Sequence, residues 1–268
     1  MPSLLHSRRA MVVGSLNPLQ KIGALLARGR AVQAEAACRV FARQQPDHAG
    51  AAHLLGVLSL TGGRHAEAMR LLKKATRLDP GNFHYWKDFG MALLSKHKLG
   101  EARESLQRAL ALRPADPEVA RHLGECLCQL DEYEAALKIF EGVPAGSADA
   151  ATTAAIRLFA GIAKLKTWRL EAAIEDLRRV TPRHLGYPDA QLSLMIARFA
   201  TGDVPGAIRA AKILLRVNPQ PETLSFLCRI FHYDTGAGRG KIAAADCCVR
   251  SALTIPISAA RISPSAGI

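Results

Sequence analysis

The chain has 268 residues, 49% of them hydrophobic and 22% charged, with a net charge of +13. It holds no stretch of 18 apolar residues, the length that a membrane-spanning helix needs, and its six cysteines lack the regular spacing of a disulfide framework. Aromatics make up only 5% while Ala and Leu dominate, which suits close helix–helix approach better than a sheet.

Residues 1–14 are read as an N-terminal extension. Ser7-Arg8-Arg9-Ala10-Met11-Val12 has the outline of a twin-arginine export signal. The apolar run behind it ends at Asn17-Pro18, however, and no A-x-A site follows, so the expected compartment is the cytoplasm.

From residue 15 a fixed period sets in. Gly56, Gly90 and Gly124 are 34 residues apart, as are Ala34, Ala68, Ala102 and Ala136, and Pro46, Pro80 and Pro114. A period of this length marks stacked supersecondary units, none of which can bury its apolar face alone. In unit 49–82, helical periodicity from Ala52 to Leu60 breaks at Thr61-Gly62-Gly63. A second amphipathic run, Ala66 to Leu78, stops at Asp79-Pro80, where proline cannot continue a helix. Each unit is therefore helix–turn–helix.

Six units follow: 15–48, 49–82, 83–116, 117–150, 154–187 and 188–221. The first departs from the pattern, with Ile22 in the glycine slot and Phe41 in the second alanine slot. Three extra residues fall in Val143–Ser147, where a longer loop is expected. A partial seventh unit is placed at 222–234. The tail 235–268 is read as one capping helix, 241–254, followed by disorder. The small residues have a packing reason: Gly56 of the first helix is expected to face Ala68 of the second, so that the two can approach closely.

These residues resemble the tetratricopeptide repeat, whose pattern W-x2-L-G-x2-Y, A-x3-F, A, P is matched by Trp86, Gly90, Ala102, Ala109 and Pro114, and by Leu55, Gly56, Ala68, Ala75 and Pro80. The resemblance implies an all-α fold, an α-α superhelix of six to seven helix–turn–helix repeats over residues 15–234. It also implies a non-catalytic protein–protein interaction module, whose concave groove takes a partner peptide or helix. Bacterial glycosyltransferases and sulfotransferases carry such repeats ahead of a catalytic domain. The alternative is therefore the repeat region of a truncated transferase that recognises an acceptor protein.

In that family the groove is lined by repeat positions 2, 5, 9, 12 and 13. Position 5 here holds His53, Lys87 and Arg121, a cationic row flanked by Glu118 and Glu125 and suited to an acidic segment. Met91 and Leu94 lie on the same helix as Lys87. In the last two units the groove positions turn apolar, with Leu158 and Ile162, then Leu192, Ile196 and Phe199, which suits an amphipathic helix.

No chemistry is legible beside these positions. Gly236–Lys241 lacks the first glycine and the Ser/Thr of a phosphate loop. Cys126 and Cys128 lie two apart on one helix and point away from each other. No C-x-x-C, His pair or G-x-S-x-G occurs. No catalytic residue, cofactor or metal is expected. The surplus of Lys and Arg on second helices, such as Arg70, Lys73, Lys74 and Arg77, is read as a solvated outer face rather than a nucleic-acid site.

Overall fold

A computed structural model of the chain describes residues 18–218, which form twelve α-helices and no strand. They come in six pairs. These are α1 (Pro18–Ala27) with α2 (Ala31–Gln44), α3 (Ala49–Thr61) with α4 (His65–Leu78), and α5 (Phe83–Leu94) with α6 (Leu99–Leu112). Then follow α7 (Pro117–Gln129) with α8 (Tyr133–Glu141), α9 (Ala150–Lys166) with α10 (Leu170–Arg178), and α11 (Tyr187–Ala200) with α12 (Val204–Val217). The fold is an all-α solenoid. The N-terminal extension, the seventh first helix at 222–234 and the capping helix at 241–254 lie outside the described residues.

Two compact units divide between Phe89 and Gly90, inside α5. In the first, α2 packs on α1 and α3, and α3 on α4. In the second, α7 packs on α8 and α9, α9 on α10 and α11, and α11 on α12. Contacts between near neighbours along the chain are what let a short repeat bury an apolar face.

The alanine that recurs once per unit lies in the core of every pair: Ala34, Ala68, Ala102, Ala136, Ala173 and Ala207 are all fully buried. The glycine that recurs one helix earlier meets a different partner from the one expected. A β-carbon on Gly56 would lie 2.9 Å from Cγ of Leu72, not against Ala68, and on Gly161 it would lie 2.5 Å from Cγ of Leu177. On Gly124 it would overlap the ring of Phe140. The large side chain is thus one helical turn beyond the alanine, and it occupies the space that glycine leaves.

The first and last pairs reverse the sizes. Ile22 and Met195 stand in the glycine slot, and the residues sixteen further on are Cys38 and Ala211, all four buried. The volume across the helix pair is conserved while its distribution switches sides.

The turn within each pair contains one left-handed residue, Gly29, Gly63, His97, Asp131, Trp168 and Gly202 in chain order, with φ between 54° and 82°. Trp86 anchors the junction between repeats by donating its indole N–H to the Pro80 carbonyl at 2.8 Å.

The slip after Gly124 is taken up in two ways. Helices α8 and α10 have nine residues where α4 and α6 have fourteen. Pro144 and Pro182, a few residues on, force the preceding residue out of the helical region. Long connections follow each, 142–149 and 179–186. The first was expected and the second was not. The remaining shift enters α9, which starts at Ala150 rather than at 154 and is capped by Asp149, whose carboxylate accepts from Thr152 N at 2.6 Å.

Candidate functional site

The ten expected groove residues divide between the two units. In the first, His53 of α3 hydrogen-bonds through Nε2 to Asp88 Oδ2 of α5 at 2.7 Å, and its ring lies 4.7 Å from that of Tyr85. Lys87, on the same helix as Asp88, is half-buried. The cationic row read from the sequence is therefore already met at His53 by a carboxylate of its own chain, one repeat further on.

In the second unit Arg121 is sunk into the first-helix face of α7, its side chain only 12% exposed. It makes a long contact of 3.5 Å to Glu125 Oε2 and also touches the ring of His122. Burial pulls the Arg121 guanidinium below its usual range, against the opposing charges of Glu125, Glu118 and Asp149. Burial also pushes the Glu125 carboxyl up to about 7, with Arg121 holding it down only in part.

The two long connections converge on this helix. Asp149 sits at the end of 142–149, and its carboxylate is held down first by the Thr152 amide and last by Arg121. His184, in 179–186, is pulled below its usual value by burial and then by the Arg121 charge. Next to it, the backbone of Gly186 lies against the Leu158 side chain. Asp149 and His184 were not recognised from the sequence. Their only signal was the pair of early prolines, Pro144 and Pro182, that lengthen the loops carrying them.

The apolar positions are mostly packed away. Leu158, Ile162, Ile196 and Phe199 are buried, as is Leu94, while Leu192 and Met91 are half-buried. Gly186 of the 179–186 connection lies against Leu158, on the face that the sequence presented as an apolar surface.

The cysteines on α7 are structural. Cys126 donates to the Leu99 carbonyl at 3.3 Å and Cys128 to that of Phe159 at 3.8 Å, and burial pushes both thiols up, to about 11 and about 12. Among the described residues no group of three His, Cys, Asp or Glu is placed to hold a metal ion, and no helix is long and apolar enough to cross a membrane.

A tetratricopeptide repeat family model matches residues 25–88 and 93–158. The chain belongs to the tetratricopeptide repeat family. Solved structures agree on the fold of this tetratricopeptide repeat protein. PilF of Pseudomonas aeruginosa aligns with a TM-score of 0.63 at 20% identity, over 79% of this chain and 95% of PilF. YrrB, described as a TPR protein with an unusual peptide-binding site, aligns with a TM-score of 0.60 at 16% identity, over 72% of this chain and 97% of YrrB. A tetratricopeptide repeat protein of Parabacteroides merdae aligns at 0.60 and 15% identity, over 88% and 90% of the two chains. No curated protein matches the sequence. The tetratricopeptide repeat fold is that of a protein-interaction module.

Proposed function

We propose that the chain is a non-catalytic interaction module that holds an extended or helical segment of a partner protein on its first-helix faces, with an acidic residue of that segment at Arg121. The observation that carries this reading is Arg121 itself. It is a largely desolvated cation whose contact with Glu125 is long, at 3.5 Å, on a helix face where α9 places leucine and isoleucine. A guanidinium held by one long carboxylate contact and by the His122 ring gains from a carboxylate that arrives with a ligand. Half-buried Met91 and Leu192 supply apolar contact for the rest of such a segment. YrrB, of similar fold, is described as having a peptide-binding site.

Photo-crosslinking side chains placed at Met91 and Leu192, and at exposed Arg108 of α6 as a control, test this in cell extract. The expected result is the same protein trapped at Met91 and Leu192 and absent at Arg108, with trapping lost in Arg121→Ala. Equal trapping at all three positions, or trapping unaffected by Arg121→Ala, removes the reading.

A further inference from the structure

The second helices of the first unit carry a charge pattern that packing within the chain does not use. On α4, Arg70, Lys73, Lys74 and Arg77 fall at i, i+3, i+4 and i+7, one stripe about 10 Å long on the outward side. Arg70, Lys73 and Arg77 are exposed and have no carboxylate partner among the described residues, while Lys74 reaches Asp47 at 3.6 Å. Some outward charges elsewhere are paired, although Arg209, Lys212 and Arg216 of α12 are exposed as well. On α10, Arg178 and Arg179 both bond Glu175, at 2.6 and 2.5 Å.

Exposed aliphatics accompany this stripe. Among the described residues of the first unit the exposed large hydrophobics are Val32 (84%), Val40 (54%) and Leu78 (37%), all on α2 or α4 and none on a first helix. The two helices are tied side by side, because Arg39, next to Val40, bonds Glu67, one turn from Arg70, by two bonds of 3.0 and 3.1 Å.

We infer that this outward face docks on an anionic lipid surface, the cations on headgroups and Val32, Val40 and Leu78 in the interfacial layer. Cations alone would suit any polyanion. Exposed valines beside them favour lipid, since a phosphodiester backbone offers nothing for an aliphatic side chain to enter, whereas a bilayer interface does. This surface belongs to second helices, whereas Met91, Arg121 and Leu192 belong to first helices.

The test is co-sedimentation of the full chain with vesicles of phosphatidylcholine, alone or mixed with phosphatidylglycerol. Binding is expected only to the mixed vesicles and is expected to weaken as salt is raised. Replacing Arg70, Lys73, Lys74 and Arg77 together by Gln should weaken it roughly fivefold per cation, on the order of several hundredfold in all. Val32→Ser with Val40→Ser leaves the charge unchanged and is expected to weaken binding as well. All these side chains lie at the surface, so circular dichroism should be unchanged. Equal binding to phosphatidylcholine alone, or either variant sedimenting like the parent, overturns the inference. So does failure to bind vesicles while duplex DNA is bound and is released by the four-cation variant.

Discussion

A β-carbon on Gly90 would lie 2.7 Å from Cγ of Leu106, one helix on and sixteen residues later. The same relation joins Gly56 to Leu72, Gly124 to Phe140 and Gly161 to Leu177, and it is inverted in size at Ile22 with Cys38 and at Met195 with Ala211. Overfilling this site alone should be costly, and moving the volume across should be tolerated. Gly90→Ile is expected to destabilise by about 3 kcal/mol through overpacking. Gly90→Ile with Leu106→Cys, the arrangement of the first pair, should recover at least half of that loss. Urea denaturation of the two single variants and the double variant measures the coupling, and strict additivity would refute the compensation.

Glu125 should make stability depend on pH in an unusual direction. Burial raises its pKa from 4.5 to about 7, so the folded state binds its proton more tightly than the unfolded chain does. Stability from this residue is therefore greatest below pH 4.5 and declines as pH rises through 7, by about 3 kcal/mol at most. His184, held below its usual 6.5, acts in the opposite sense, losing stability as pH falls. The informative quantity is the difference between parent and Glu125→Gln. That variant should gain on the parent steadily between about pH 4.5 and 7, and parallel pH profiles from thermal unfolding would rule this out.

Another carboxylate pair should set the acid limit of the first unit. Glu67 is held below 4.5 chiefly by its bonds from Arg39, and Glu35 chiefly by Arg64, with Arg39 bridging both carboxylates. Depressed carboxylates stabilise the fold above their unfolded value, and that contribution disappears as pH falls below 4.5. Arg39→Gln should flatten this acid decline. Near neutral pH its cost should be at most about 1 kcal/mol, because the side chains are 24–38% exposed and water screens them. Chemical denaturation from pH 3 to 7 tests it.

His97 occupies the left-handed turn position that Gly63 fills one repeat earlier, with φ of 54°. It is exposed, so its side chain contributes little packing there. Relief of the left-handed strain outweighs glycine's extra freedom in the unfolded chain, and His97→Gly should stabilise by roughly 0.5–1 kcal/mol. A midpoint in urea at or below the parent's would contradict this.

Much of the fold was legible because its determinants are local. A glycine, an alanine and a proline at one spacing are enough to mark two helices and the turn between them, and the described residues form six helix pairs. The site was less legible. Position 5 located Arg121 correctly on a first helix, but a residue type in a slot does not state what surrounds it. His53 proved to be engaged by Asp88, and Leu158 to be covered beside Gly186. The size swap at Ile22 and Cys38 was visible in the letters yet had no meaning until the two positions were known to face the same space.

What this sequence determines by itself is periodicity: helix length, turn position and the small residues that permit close approach are encoded within each 34-residue stretch and need no distant partner. Tertiary structure decides the electrostatics and the free surface. The pKa of Glu125 depends on burial and on Arg121, the state of Arg121 depends in turn on burial, Glu125, Glu118 and Asp149, and His184 is lowered by burial and by the Arg121 charge. Desolvation and Coulomb energies depend on distances through space, and those distances exist only once the helices have stacked.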